Sequence, residues 1–166
     1  MGAPGSRWLS KQQQGAWRAY ILGTTLLLDT LDRELRHAHG ISLGEYEILV
    51  RLSETPDRTM RMAQIAESMR HSRSRVTHTV TRMEKAGLIS RCAAAADRRG
   101  VEARMTDAGY ALLVAAAPTH VNGVRRHFVD QASDDQFKVL GTVMDAVSDH
   151  LLAENPSFDD IRPHGD

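Results

Sequence analysis

Residues 72–91 read SRSRVTHTVTRMEKAGLISR, a run in which apolar residues are spaced between polar and basic ones. Ser72 is of a type that favours the N-cap of a helix, and Gly87 is of a type that favours its end. Between them, apolar residues recur at the spacing of one helix face: Val76, Val80 and Met83. The pattern predicts a helix over 72–86 with one narrow buried side.

The opposite side of this predicted helix is polar and basic, with no acid before Glu84. At 100° per residue, it carries hydroxyls, an imidazole and guanidinium groups. A helix of this width fits the major groove, where arginine can bind guanine and shorter polar side chains can reach bases or phosphates. A merely solvated face is the alternative, although such faces normally mix both signs of charge. The residues on or beside this face are Ser74, Arg75, Thr77, His78, Thr81, Arg82 and Lys85.

The following stretch, CAAAADRRGVEAR at 92–104, contains two conflicting signals. Four consecutive alanines favour a helix. Apolar and charged residues alternate over 101–105, however, and that alternation is typical of a strand. Because the helical pattern of apolar residues stops at Gly87, we interpret 88–105 as a hairpin with strands at 88–92 and 101–105.

The tip of this hairpin is basic. Arg98 and Arg99 would extend long cations into an adjacent minor groove, whose narrow A·T-rich stretches have enhanced negative potential. Asp97 is expected to pair with an arginine and shape the turn, and Gly100 to permit a backbone conformation that other residues resist. The alanines at 93–96 would form an uncharged tip that makes no specific DNA contacts of its own.

Helical patterns surround this block on both sides. One long helix is predicted over about 12–37, and a second over 43–53, where Ser42 and Glu45 form a capping-box pattern. Residues 55–57 read as a turn, and a third helix follows it without a Ser or Thr cap. Its apolar stripe is Met62, Ile65, Ala66 and Met69.

Two more helices are predicted after the hairpin. One opens at Thr106 and is expected to be bent or broken near Pro118, because proline cannot donate a backbone hydrogen bond. The last begins at Ser133 with a second capping box. The order of elements is that of a winged helix-turn-helix. The long outer helices carry apolar stripes that this small module cannot cover, so we expect a second copy of the chain to bury them.

Composition is that of a soluble globular protein, with 166 residues, 42% hydrophobic and 25% charged. Its single cysteine, Cys92, excludes an intramolecular disulfide or a multi-cysteine zinc site. No signal-peptide pattern or membrane-spanning run is recognised, so we expect a cytoplasmic protein without membrane contact. The formal net charge is zero, yet residues 70–104 contain nine basic and three acidic residues. A basic working face on an acidic body is therefore predicted.

The stretch over 62–109 resembles the MarR family of transcriptional regulators. SRSRVTHTVTRMEKAGLISR is similar to its recognition helix and first wing strand, and DRRGVEARMTDAG at 97–109 to its wing and the helix start that follows. The family's signature positions are occupied by Asp97, Arg99, Gly100, Thr106 and Gly109. The alanines at 93–96 depart from the polar or proline residues usual at the wing tip.

The resemblance implies a mainly α fold with a small β-ribbon, in which a winged helix-turn-helix lobe is joined to long N- and C-terminal dimerisation helices. It implies a homodimer that binds a palindromic double-stranded DNA operator, acting as a repressor released by a small lipophilic or phenolic effector. No catalytic site, cofactor or metal is expected. The implied groove or phosphate contacts are Ser72, Arg73, Ser74, Arg75, Thr77 and His78, with Arg99 in the minor groove. The implied effector contacts are Trp17, Arg18, Tyr20, His39 and Tyr46.

The corresponding domain boundaries place a single domain at 11–152. Within it, 42–106 would form the DNA-binding lobe, and 11–41 and 107–152 the dimerisation helices. A disordered N-terminus at 1–10 and a flexible tail at 153–166 complete the prediction.

Other functions remain open at this point. A redox sensor of the same fold would need a reactive cysteine, whereas Cys92 is expected to be a partly buried thiol acting as a small apolar residue. A metal sensor would use histidines, and the candidate pairs are His37 with His39 and His71 with His78, neither a complete ligand set. No motif of a hydrolase, metalloprotease or phosphate-binding loop is present. A purely helical interaction module would leave the basic segment unexplained.

Overall fold

The computed structural model describes residues 7–69, 71–94 and 97–154, with the side chains of residues 94 and 97–99 left undescribed. Six α-helices and three strands lie within these ranges. The helices are α1 Lys11–His39, α2 Leu43–Ser53, α3 Met62–Ser68, α4 Arg73–Lys85, α5 Asp107–His127 and α6 Asp134–Glu154. The strands are β1 Thr59–Arg61, β2 Ile89–Ala94 and β3 Asp97–Met105, and short 3₁₀ turns occupy Pro56–Arg58 and Val129–Gln131.

Capping interactions fix the helix starts where the sequence predicts them. At α2, the Glu45 amide donates to Ser42 Oγ at 3.2 Å, and the Ser42 amide donates to Glu45 Oε2 at 2.7 Å. The predicted N-cap Ser72 accepts from the Arg75 amide at 3.2 Å. Such reciprocal bonds satisfy amides that have no partner within the helix. Gly40 ends α1 with φ of 72°, a left-handed conformation that glycine adopts without strain.

The core lies where the end of α1, helices α2 to α4, the sheet and the first half of α5 meet. Aliphatic side chains from α1, α2, α3, α4 and β2 are almost completely buried there: Leu35, Leu49, Leu52, Ile65, Val80, Met83 and Ile89. The α4 residues among them are on the apolar face predicted from the sequence. This core holds α4 against the body, so that its other face points outward.

The sheet has three antiparallel strands in the order β1-β3-β2. The sequence predicted the hairpin but not β1, which pairs Met60 with Ala103. The turn predicted at residues 55–57 is present as a 3₁₀ turn over Pro56–Arg58, in which Asp57 and Arg58 adopt positive φ values of 54° and 52°. This tight reversal directs the chain into β1, which a three-residue strand cannot announce by its periodicity.

Of the two alternatives predicted at Pro118, a bend or a break, the break is absent, because helix α5 runs from Asp107 to His127 with Pro118 inside it. Packing on both sides of the proline, through Ala116 and Gly123, offsets the one lost hydrogen bond. Cys92 is exposed rather than partly buried, because it projects from the outer side of β2.

The outer helices leave large apolar side chains uncovered. None of the residues of α6 is buried. On α1 and α6 the exposed apolar residues are Trp17, Tyr20, Ile21, Leu22, Leu26, Leu28, Val139, Val143, Val147 and Leu151. No helix in the described ranges is both long enough and apolar enough to cross a membrane.

Candidate nucleic-acid interface

Helix α4 divides cleanly into an inner and an outer face. Val76, Val80 and Met83 are at most 1% exposed and anchor the helix in the core. The outer residues are exposed, apart from a half-buried Thr81: Ser72, Arg73, Ser74, Arg75, Thr77, His78, Arg82 and Lys85. The predicted DNA-binding side chains of this helix therefore share one accessible surface.

The cations at the start of α4 are not neutralised locally. Neither Arg73 nor Arg75 forms an ion pair with a residue in the described part of the chain. Unpaired guanidinium groups can donate up to five hydrogen bonds to phosphate oxygens or to guanine. The first two turns of α4 thus present charge and donors to an outside ligand.

Two hydroxyls on the same helix are already committed. The Thr77 hydroxyl donates to the Arg73 carbonyl oxygen at 2.8 Å, and the Thr79 hydroxyl donates to the Arg75 carbonyl oxygen at 3.1 Å. In this state Thr77 offers a methyl group and an acceptor oxygen, which suit a thymine methyl or a base amino group.

Arg82 differs from the other arginines of α4 because it has an acidic partner. Its Nε donates to Glu45 Oε1 at 2.8 Å, and the Glu45 side chain is only 7% exposed. Half of the Arg82 side chain remains exposed. Sequence spacing gave no sign of this pair, since the two residues are on different helices.

Near the interface, His71 and His78 line an open polar cleft between α4 and the α1–α2 junction, with a volume of about 500 Å³. Burial, reinforced by the nearby Arg75 charge, lowers the pKa of His71. In its neutral form, an imidazole at this turn has one donor and one acceptor nitrogen.

In the wing, the two strands are longer and the loop that joins them is shorter than predicted. Ala94 pairs with Asp97, and Ala93 pairs with Val101, so the register shifts by a bulge that contains residues 98–100. The backbones of Arg98, Arg99 and Gly100 therefore belong to β3 and are not at the extreme tip. The predicted side-chain roles of Asp97, Arg98 and Arg99 lie outside the described residues.

Two other arginines of the sheet are held by local bonds. Arg91 of β2 donates from Nε and its terminal nitrogen to Glu84 Oε2 at 2.9 and 2.5 Å, which ties β2 to the end of α4. Those bonds lower the pKa of Glu84. Arg104 donates to the Thr59 hydroxyl at 3.0 Å. These contacts brace the base of the wing.

The predicted effector contacts fall into two separate groups. Trp17 and Tyr20 stack with ring centroids 6.0 Å apart on the exposed half of α1, and Arg18 borders a surface notch beside Trp17. His39 and Tyr46 are instead at the far end of α1 and on α2. One chain does not bring all five together.

The second group forms a contact between α1, α2 and α5 that includes two residues missed from the sequence. His39 shares a 2.8 Å hydrogen bond with Thr119, and the Tyr46 ring lies 4.7 Å from the His120 ring. Burial lowers the pKa of His120 and raises that of Tyr46. Within the described ranges, no three metal-ligating side chains cluster, around these histidines or elsewhere.

A helix-turn-helix whose second helix is solvent-facing and followed by an antiparallel wing defines the winged helix-turn-helix class. Solved structures with this fold match nearly the whole chain. Sco3205 from Streptomyces coelicolor, a MarR family regulator crystallised in complex with DNA, is 40% identical with a TM-score of 0.85, covering 90% of this chain and 93% of that one. AbsC from the same organism, also a MarR family regulator, is 37% identical with a TM-score of 0.83, covering 89% and 99%.

More distant relatives agree. The HTH-type transcriptional regulator PecS of Dickeya dadantii is 26% identical over 80% of this chain and 82% of its own length. The family model for MarR matches residues 41–101. The chain therefore belongs to the MarR family of transcriptional regulators, as its sequence motifs predicted.

Proposed function

We propose that the protein binds a palindromic DNA operator as a homodimer, with α4 of each copy in a major groove and the wing arginines Arg98 and Arg99 in the flanking minor groove. The observation that carries this proposal is the outer face of α4, where Arg73 and Arg75 are exposed and unpaired within the described chain. The DNA-bound structure of Sco3205 supports the choice of ligand. Two such helices would sit about one helical turn apart on the DNA.

A second copy is the proposed cover for the apolar faces of α1 and α6. Trp17 is 56% exposed and Val143 is 52% exposed, although both belong to the apolar side of an amphipathic helix. Burying such side chains stabilises an association by roughly 25 cal/mol for each Å² removed from water. A symmetric dimer also explains how two recognition helices come to face one palindrome.

We further propose that the regulator is a cytoplasmic repressor that releases DNA when a small lipophilic or phenolic effector binds. The contact of the buried Tyr46 ring with the half-buried His120 ring, together with His39 and Thr119, offers aromatic surface and polar atoms between α1, α2 and α5. Trp17, Arg18 and Tyr20 would reach this region only from the partner copy. A phenolic acid displacing bound operator in a titration supports the proposal; operator affinity unmoved by a panel of such acids contradicts it.

DNA binding is tested by titrating a labelled duplex from the promoter beside the protein's own gene. We expect sub-micromolar affinity that falls steeply with salt, because neutralised phosphates release counterions. Arg75→Ala should weaken this binding and either reduce the salt slope by about one, for a phosphate contact, or relax one base preference. Arg125→Ala removes an exposed cation from the end of α5 and serves as the control, with affinity retained. Equal binding of promoter and random duplex would refute sequence-specific regulation.

A further inference from the structure

A polar network joins three helices behind the candidate interface. On α1, Asp32 accepts a hydrogen bond from Arg36 Nε at 2.6 Å and another from the Leu43 amide, the first of α2, at 2.8 Å. On α2, Glu45 accepts the Arg82 Nε of α4 at 2.8 Å. Two carboxylates and two guanidinium groups therefore link the end of α1 to the recognition helix through the start of α2.

The two oxygens of Glu45 have separate partners. Oε2 accepts from the Ser42 amide and hydroxyl at 2.7 and 2.8 Å, which caps α2. Oε1 accepts from Arg82. The cap alone needs only the first oxygen, and glutamine serves equally well at this position of a capping box. The negative charge and the second oxygen are thus available for α4.

The electrostatics favour a charged Glu45 in spite of its surroundings. Burial opposes ionisation, but the bonds from Arg82 and Ser42 outweigh it and lower the pKa of this carboxyl. An ionised carboxylate that is 7% exposed makes short, directional bonds to a guanidinium group. By contrast, the apolar contacts of Val76, Val80 and Met83 are non-directional and tolerate small rotations of the helix.

From this arrangement we propose that Glu45 is a positioning residue for operator recognition, holding Arg82 so that the outer face of α4 meets the groove at one fixed rotation relative to α1. The inference rests on the proposed DNA-binding function. It assigns Arg82 a tethering role that is distinct from that of Arg73 and Arg75, which have no acidic partner among the described residues. Glu45 itself is buried behind α4 and would not touch the DNA.

The proposal predicts an effect opposite in sign to simple electrostatics. Glu45→Gln removes a negative charge from the DNA-binding lobe and releases Arg82, so a purely electrostatic role would tighten binding to any DNA. A positioning role instead loosens operator binding by about tenfold, comparable to the loss of one well-placed base contact. Affinity for a random duplex would be unchanged or slightly higher. The salt slope for operator binding would also be unchanged, because no phosphate contact is removed.

Glu67→Gln is the matched control, because it removes the same charge from an exposed site on α3 in the same lobe. It should affect operator and random duplex equally. Should Glu45→Gln be poorly folded, the double variant Glu45→Gln/Arg82→Gln replaces the ion pair with two neutral amides. The double variant should lose no more discrimination than either single variant, since both act through one pair. An operator-to-random affinity ratio that is intact in these variants overturns the proposal.

A measurement without DNA separates this inference from the proposed function. Spin labels at positions 33 on α1 and 85 on α4, in a Cys92→Ser background diluted with unlabelled protein, report the orientation of α4 relative to α1. We expect Glu45→Gln to broaden that distance distribution and Glu67→Gln to leave it narrow. An unchanged distribution refutes the positioning role even if operator binding is confirmed. Failure of the wild-type protein to discriminate operator DNA refutes the proposed function even if the distribution broadens.

Discussion

The DNA-binding lobe buries its apolar residues within one chain, whereas the outer helices leave many of theirs exposed. In the lobe, Leu49 and Ile65 are completely buried among α2, α3, α4 and the sheet of the same chain. On the outer helices, Trp17 and Val143 are more than half exposed, although each lies on an apolar stripe. An apolar stripe therefore specifies that a face is to be covered, and the tertiary context determines whether the same chain or another covers it.

The largest effect on stability is expected in the DNA-binding lobe, where one chain buries its own apolar residues. Leu49→Ala removes a fully buried side chain and should lower the free energy of unfolding by about 2–5 kcal/mol. Because the cavity is within one chain, the loss should be the same at low and high protein concentration. Urea unfolding at two concentrations measures it, and Val101→Ala, which shortens an exposed aliphatic side chain of β3, is the control. A loss below about 1 kcal/mol would show that Leu49 is not a core residue.

An intermediate effect, on dimer formation, is expected for the outer helices, whose apolar residues are exposed in the single chain. Leu26→Glu places a charge among the exposed apolar side chains of α1 and should raise the dissociation constant of the proposed dimer by at least about tenfold, because a charge buried at an interface is strongly unfavourable. The folded lobe should keep its circular dichroism spectrum. Sedimentation equilibrium provides the measurement. A wild-type protein that is monomeric at micromolar concentration would contradict the dimer proposal altogether.

The smallest effect concerns the boundary between the two regions, where His120 of α5 contacts Tyr46 of α2. Burial holds the pKa of His120 below its ordinary value of 6.5, so the unfolded chain binds a proton more readily than the folded one. Stability should therefore decrease as the pH falls below 6.5. His120→Phe keeps a ring and removes the titration, so its unfolding free energy should change less between pH 7 and pH 5. Parallel pH profiles would exclude a contribution from His120.

The sequence was informative where local chemistry and periodicity agree. The capping boxes at Ser42 and Ser133 form as predicted, and Val76, Val80 and Met83 are buried. Local rules were insufficient where tertiary contacts prevail. They missed β1, whose three residues are too few to show a period, and they left open a break at Pro118 that the continuous α5 excludes.

The candidate site shows the same division. The outer residues of α4 were predictable because they follow from one helical wheel. The pairing of Glu45 with Arg82 was not, since 37 positions separate the two residues and the sequence already explains Glu45 as a helix cap and Arg82 as part of the basic face. The wing arginines were identified from their type and from the family motif, but their place in a bulge of β3 depends on a register that no local pattern specifies.

Helix α1 is a single uninterrupted helix of 29 residues, so a small change in its tilt moves its far end by a large distance. Leu35 is fixed in the core near one end, and at 1.5 Å per residue Trp17 stands about 27 Å away from it. A tilt of roughly 10° about the buried end would carry the free end through about 5 Å. In the proposed dimer, two recognition helices would have to match operator half-sites about 34 Å apart, and a shift of about 5 Å between the two copies would spoil that match. In that proposed dimer, a small rearrangement at the α1–α2 junction would therefore change the distance between the two recognition helices enough to weaken operator binding.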